Sequence, residues 1–264
     1  MSLSLENLCV VLVKTRNPLN LGAVARAMSN FGAAELRAVE PYGKAWREAR
    51  SAVGAGEVMA QAREFTTIAE AVADCSLVVG TTSVGNRELK HPLRDVAEAA
   101  PLLREHMARG KLAVLFGSEK WGLSNEDLSY CHWLVRIPTR EEHRSMNLGQ
   151  AAAVVLYEMS RGEQVQSSKL KFQSTAKGKA KIGNGKLKMD GGEELAAMET
   201  MERIGEALLE ALLKSGYVGP RKTALAEEKL RRMLRRFSMG AADAEVFLGM
   251  IRKIRAKIED EEKE

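Results

Sequence analysis

Polar residues follow three apolar runs of the chain, at points where a strand would end and a helix begin. After LCVVLV comes RNPLNLGAVARAMSNFG, which carries Asn20 and Arg26. Glu119 follows LAVLF, and a polar loop with Ser145 and Asn147 follows WLVRIP. Ligands of open α/β sheets bind outside the carboxyl ends of the strands. The positions of these residues therefore indicate a ligand-binding site.

Helix capping is a competing explanation for the same residues. Asn20 is placed to cap the helix after the first apolar run. Either Ser145 or Asn147 is placed to cap the helix after the third apolar run. Gly22 and Arg26 lie four positions apart and share one face of the first helix, where the small residue leaves room for a ligand or a strand. Each junction taken alone is explained by capping as well as by binding.

The elements that would position these residues alternate along the chain from residue 8 to about residue 160. We predict strands at 8–13, 35–39, 76–80, 112–116 and 133–138. Helical patterns occupy 21–31, 44–62, 67–75, 93–108, 125–131 and 146–161. Alternation of this kind predicts an α/β fold with a mostly parallel sheet and helices on both faces.

Composition divides the chain into a domain at 1–162, a basic flexible linker at 163–192 and a helical C-terminal extension at 193–264. The linker carries a formal net charge of +5, whereas the domain carries +1 and the extension −1. Its Lys-, Gly- and Ser-rich sequence is typical of a flexible tether. The tether is either simply solvated or also binds nucleic-acid phosphate.

The C-terminal extension has helical patterns at 193–214, 222–237 and 246–259. The second of these contains four arginines, Arg231, Arg232, Arg235 and Arg236. They either bind RNA or form an ordinary solvated face with two nearby glutamates. A role in binding tRNA or in extending a dimer is the natural hypothesis for this segment.

Metal binding, export and membrane insertion are not expected. The cysteines at 9, 75 and 131 and the four histidines lack the spacing of a metal site. No apolar run approaches the ~18 residues of a membrane helix, and the N-terminus lacks the basic leader of a signal peptide. Neither a dinucleotide-binding fingerprint nor a P-loop occurs. We therefore expect a cytoplasmic protein without a bound metal.

Taken together, NPLNLGAVARAM, LFGSEKWGLSNEDL and IPTREEHRSMNLGQAAAVVLYEM resemble the three motifs of the SPOUT class of RNA 2′-O-methyltransferases. They keep the order of that class and fall within residues 5–160. Within the class they are most similar to the TrmJ branch of the TrmH-like family, which methylates the ribose of nucleotide 32 in the tRNA anticodon loop.

The resemblance implies a C-terminal trefoil knot in the sheet, an obligate homodimer, and S-adenosylmethionine bound in a bent conformation within the knot. It implies that the cofactor is bound by Thr81, Thr82, Ser83, Gly117, Ile137, Arg144, Ser145 and Met146. The catalytic arginine of the family falls on Arg26, and its other site residues fall on Asn20, Glu119, Ser145 and Asn147.

Three functions stay open at this point. They are 2′-O-methylation of tRNA at nucleotide 32, the same reaction on rRNA or another tRNA position, and RNA binding without catalysis. The presence of Arg26, Glu119 and Asn147 together argues against the last. Guanidinium groups stay protonated in proteins and are poor bases. We therefore predict that Arg26 positions the target phosphate or stabilises the developing alkoxide, with Glu119 and Asn20 orienting its guanidinium. The alternative, that Arg26 accepts the proton of the hydroxyl, stays open.

Overall fold

The computed structural model describes residues 5–51, 56–83, 89–161 and 195–261, and the predicted linker lies outside these ranges. Within them the chain forms seven strands and ten α-helices. The strands are β1 (Leu8–Val13), β2 (Glu35–Val39), β3 (Arg63–Phe65), β4 (Leu77–Thr81), β5 (Leu93–Asp95), β6 (Leu112–Phe116) and β7 (Trp133–Arg136).

The first seven helices alternate with the strands, and the last three follow them. They are α1 (Pro18–Phe31), α2 (Gly43–Ser51), α3 (Gly56–Gln61), α4 (Ile68–Ala71), α5 (Val96–Met107), α6 (Asn125–Ser129), α7 (Leu148–Ser160), α8 (Met198–Lys214), α9 (Thr223–Arg236) and α10 (Ala241–Glu261). Short 3₁₀ helices occupy Glu141–His143 and Pro220–Lys222.

The described strands form one sheet in the order β3-β2-β1-β6-β4-β7-β5, and every neighbouring pair is parallel. Alternate residues of β1 enter different cores. Val10 packs with residues of α1 and α7, such as Leu21 and Leu156, whereas Val11 packs with Ile68 of α4 and Leu128 of α6. The predicted α/β class, with helices on both faces of a parallel sheet, is therefore confirmed.

The strand order explains why three distant motifs can meet. β1, β6, β4 and β7 are adjacent, and parallel strands all end at the same edge. The three motifs lie at the ends of β1, β6 and β7, and Thr81 ends β4 with Thr82 and Ser83 directly after it. One edge of the sheet therefore receives all of them.

Two strands and several helix boundaries differ from the prediction. β3 and β5 were not predicted, because each has three residues and none of those residues is buried. The predicted helix at 44–62 is two helices, α2 and α3, and Gly56 at the start of α3 has φ +72°. The predicted helix at 93–108 begins as β5 and becomes α5 only at Val96.

α1 and α7 pack at close range on one face of the sheet. A Cβ atom placed on Gly149 would lie 2.5 Å from the Cβ of Ala23, closer than two carbon atoms approach without bonding. Gly149 therefore sets the distance between the helix that carries Arg26 and the helix that follows the third motif.

Gly149→Ala is expected to lower the free energy of unfolding by about 1–3 kcal/mol, because the added methyl group must push the two helices apart. Gly22→Ala is the matched control, since no atom lies within 4 Å of its added Cβ. Both positions are helical, so the gain in helix propensity cancels between the variants. Urea unfolding measures the difference, and equal stabilities would contradict the close packing.

The C-terminal helices α8, α9 and α10 have their own core and also dock on the sheet domain. The backbone NH groups of Met198 and Glu199 donate to the carbonyls of Cys75 and Ala73, at 2.9 and 3.0 Å. Met198 is fully buried in the second core of the sheet. The start of α8 is therefore fixed to the segment between α4 and β4.

Arg231 of α9 completes this docking, and Arg232 and Arg235 form ion pairs within the C-terminal helices. Arg231 donates to the Ser129 hydroxyl at 3.1 Å, and its guanidinium lies 4.1 Å from the centre of the Tyr130 ring. Arg235 is buried and pairs with Glu202 of α8, and Arg232 is buried and pairs with a glutamate of its own helix. Arg231 and Arg232 pair with the two nearby glutamates of the prediction, Glu227 and Glu228. Because Arg232 and Arg235 are buried, RNA binding and a solvated face are both wrong for these two. Arg236 alone of the four is exposed.

Candidate functional site

A cavity of about 570 Å³ lies at the carboxyl ends of β4, β6 and β7. All eight residues predicted to bind the cofactor line it: Thr81, Thr82, Ser83, Gly117, Ile137, Arg144, Ser145 and Met146. Four of the five predicted catalytic residues also line it: Asn20, Glu119, Ser145 and Asn147. Arg26 is not among the lining residues. The strand order has thus brought together residues that are far apart in the sequence.

The loop after β6 is a tight turn that closes one side of the cavity. The NH of Gly122 donates to the carbonyl of Ser118 at 2.8 Å, and the NH of Trp121 donates to the Ser118 hydroxyl at 3.3 Å. A Cβ on Gly117 would lie 2.0 Å from the carbonyl carbon of Gly122, so only glycine fits there. Gly122 has φ +66°, which also favours glycine.

Hydrogen bonds between side chains join the three motifs. Asn147 donates from Nδ2 to Oδ1 of Asn20 at 2.9 Å, and Asn20 donates from Nδ2 to Oε1 of Glu119 at 3.0 Å. Each of these residues comes from a different motif. We call Asn147, Asn20 and Glu119 the amide chain. Its two hydrogen bonds fix the orientation of the side-chain amides of Asn147 and Asn20.

Glu119 also binds the loop between β1 and α1. Its carboxylate accepts from the backbone NH groups of Arg16 and Asn17, at 3.2 and 3.0 Å. Burial raises the pKa of Glu119, but the hydrogen bonds from Asn20 and from these backbone groups outweigh burial and lower it. The carboxylate is therefore ionised at neutral pH and acts as an acceptor that fixes two loops.

The helix caps differ in part from the prediction. Asn17 caps α1 by accepting from the NH of Leu19 at 2.9 Å, so the helix starts three residues earlier than predicted. Asn20 therefore does not cap the helix, and its side chain is free for the amide chain. Asn147 caps α7 through Oδ1, which accepts from Gly149 NH at 2.9 Å. The predicted alternative, Ser145, does not cap that helix.

Arg26 lies apart from the other predicted catalytic residues. It is exposed in the third turn of α1, and among the residues that the structure describes it has no hydrogen bond or ion pair. Asn20 and Glu119 bond to each other, so the prediction that they orient the guanidinium is wrong within one chain. Asn20 and Arg26 are six residues apart, which places them on different sides of the helix.

A second cavity of about 400 Å³ adjoins the first and was not predicted. Arg16, Asn17 and Pro18 line it on one side, and five residues are shared with the first cavity: Asn20, Ser118, Glu119, Lys120 and Trp121. Trp121 is 75% exposed at the boundary. The sequence signal for this residue was an aromatic side chain two positions after Glu119, in a loop that already carried a site residue.

The described residues contain no helix long and apolar enough to cross a membrane, and no group of three or more His, Cys, Asp or Glu that could hold a metal ion.

Comparison with known proteins identifies the family of the chain. The SpoU rRNA Methylase family matches residues 7–157, which include the first two motifs, all but the last two residues of the third, and the residues that line both cavities. The chain belongs to this family.

Individual relatives extend the likeness to almost the whole chain. A tRNA (cytidine/uridine/adenosine-2′-O-)-methyltransferase TrmJ of Pseudomonas aeruginosa is 33% identical over 253 residues, which are 94% of this chain and 93% of the relative. The TrmJ of Escherichia coli K12 is 32% identical over 268 residues, 98% of each chain. The crystal structure of TrmJ from Z. mobilis superposes with a TM-score of 0.74 at 30% identity, and covers 93% of this chain and 98% of that one.

Proposed function

We propose that the protein transfers a methyl group from S-adenosylmethionine to the 2′-hydroxyl of a tRNA ribose, at nucleotide 32 of the anticodon loop. The amide chain is the observation that carries this proposal, because it joins the three motifs around one cavity. The named activity of the relatives supports tRNA as the substrate. The choice of nucleotide 32 as the target rests on the motif resemblance. A cytoplasmic location is part of the proposal, because tRNA is the proposed substrate.

The residues of the first cavity fit S-adenosylmethionine. Ile137, Leu148 and Val155 give the cavity an apolar side suited to a purine, and Ser145 and Arg144 give it polar groups suited to an amino acid. When bound, S-adenosylmethionine supplies a methyl group on a sulfonium, which is electrophilic without a metal ion. The cofactor-binding roles of the eight predicted lining residues are part of the proposal.

The protein contributes chiefly by alignment. A ribose hydroxyl is a weak nucleophile, and correct placement against the methyl group supplies up to about 7–11 kcal/mol. The amide chain stands between the two cavities and fixes the loops on both sides. We assign Arg26 to the ribose and its phosphate, where a guanidinium stabilises negative charge as the hydroxyl loses its proton.

A homodimer is part of the same proposal. Arg26 lies outside the cavity of its own chain, so a second copy must bring it to the site if it takes part in the reaction. Leu19 on α1 and Tyr157 on α7 are 79% and 49% exposed, and these two helices pack together. We propose that α1 and α7 form the dimer contact and place Arg26 of one protomer beside the cavity of its partner. The trefoil knot is proposed with them, from the resemblance.

Incubation of the full chain with labelled S-adenosylmethionine and total unmodified RNA tests the proposed function. Label is expected in the tRNA fraction, and its loss after ribonuclease treatment would exclude self-labelling of the protein. Label confined to rRNA would replace tRNA by the rRNA substrate that the family's description names. Absence of label from every RNA would overturn the enzymatic proposal.

A further inference from the structure

Trp121 lines both cavities and is not one of the eight residues proposed to bind the cofactor. Trp121 is 75% exposed, although a bare indole ring is an unfavourable surface in water. The ammonium of Lys120 lies 4.7 Å from its ring centre, a cation–π distance. Trp121 also lines the second cavity, together with Arg16, Asn17 and Pro18.

The loop holds the backbone of Trp121 in a fixed place. Its backbone NH and that of Gly122 are both bonded to Ser118, so the turn cannot open without losing two hydrogen bonds. Glu119 ties the same turn to the backbone of Arg16 and Asn17 across the cavity. The backbone that carries Trp121 is therefore preorganised, which lowers the cost of ordering this residue on binding.

The chemistry around Trp121 matches a nucleotide. Bases stack on aromatic side chains, and this is the main way in which proteins hold single-stranded RNA. Arg16 and Lys120 are exposed cations on opposite sides of the cavity, suited to phosphates next to a stacked base. Glu119 is the acidic side chain there, and three donors already occupy its carboxylate.

The residues shared by the two cavities indicate which nucleotide would stack on Trp121. Asn20, Ser118 and Glu119 face both cavities, so a base on Trp121 places its own ribose at the boundary with the first cavity. We propose that Trp121 stacks on the base of the nucleotide that is methylated, with Arg16 and Lys120 on its flanking phosphates. This inference rests on the proposed function.

Fluorescence gives a readout that does not need turnover. The chain has three tryptophans, and Trp46 and Trp133 are each only 5% exposed, so Trp121 dominates the response to solvent and ligands. A tRNA anticodon stem-loop is expected to quench the emission and to shield it from iodide. Trp121→Phe should abolish both changes while the stem-loop still binds. Shielding that persists in Trp121→Phe would overturn the inference.

Kinetics test which base is stacked. Trp121→Ala is expected to raise the KM for tRNA by about 5- to 100-fold with little change in kcat, and Trp121→Phe to restore most of the loss. A stem-loop with an abasic ribose at the methylated position should show the same loss with the wild-type chain. Combining the abasic substrate with Trp121→Ala should add nothing, because both changes remove one stack.

Tyr217→Ala is the matched control, because Tyr217 is an 81% exposed aromatic residue in the loop between α8 and α9. It should leave KM unchanged. An unchanged KM in Trp121→Ala, or losses that multiply in the combined experiment, would overturn the stacking role while the methyltransferase function stands. If the wild-type chain methylates no RNA, the proposed function fails, and the inference fails with it.

Discussion

Replacing Arg26 by alanine is expected to lower kcat for RNA methylation by about 100-fold or more while S-adenosylmethionine still binds. Removing one preorganised group that stabilises developing charge typically costs this much. Arg26 does not line the cofactor cavity, so the Kd for S-adenosylmethionine should stay within about twofold, in line with the small effects of distant substitutions. The exposed side chain contributes little to stability, so the fold should be unaffected. Single-turnover methylation and calorimetric cofactor binding measure the two quantities.

Arg26→Lys refines this prediction. The lysine keeps the charge but lacks the planar group that forms two parallel hydrogen bonds to a phosphate. We expect it to remain strongly impaired. Near-full activity in Arg26→Lys would show that charge alone is sufficient. Loss of cofactor binding or of folded protein in Arg26→Ala would contradict the proposed role and make Arg26 a structural residue.

The second large effect is a recovery of activity when two inactive chains are mixed. Glu119→Ala removes the acceptor for the side chain of Asn20 and for two backbone NH groups, so it should abolish alignment in its own chain. Arg26→Ala should leave that alignment intact. If Arg26 acts on the cavity of its partner, a mixed dimer contains one complete site. An equal mixture, after subunit exchange, should regain about a quarter of wild-type activity, because half of the dimers are mixed and one of their two sites is complete.

The control for mixing is a chain that carries both substitutions. Mixing this double variant with either single variant leaves every site defective, so no activity should return. A mixture of the two single variants that stays inactive, although exchange is shown by tagged chains, would place Arg26 and Glu119 in the same chain's site. That result would contradict the proposed dimer arrangement.

The sequence predicted the central strands well, because β1, β2, β4, β6 and β7 are apolar runs in which most residues are buried. It missed β3 and β5, whose residues are not buried and which lie at the two edges of the sheet. Edge strands of three residues carry no hydrophobic pattern. Their pairing depends on neighbours that only the folded chain supplies.

The site was predicted to a similar extent. Strand ends and motif resemblance predicted five catalytic residues. Four of them line the cavity, and Arg26 does not. The role of Asn20 depended on where α1 begins, and the Asn17 cap moved that start by three residues. In the proposed dimer, Arg26 reaches a cavity only by packing against another chain, which spacing along one helix cannot show. Trp121 was missed because its aromatic type two positions after Glu119 is a weak signal until the folded chain shows that the side chain is exposed.

Transfer of a methyl group to a ribose oxygen is the central claim, and a substrate that lacks this one oxygen tests it most directly. Two tRNA anticodon stem-loops, one with ribose and one with 2′-deoxyribose at nucleotide 32, are incubated with the full chain and labelled S-adenosylmethionine. The ribose substrate should gain one methyl group and become resistant to alkaline cleavage at that nucleotide, and the deoxy substrate should gain none. Equal labelling of both substrates would show that the methyl group goes elsewhere and would contradict the account.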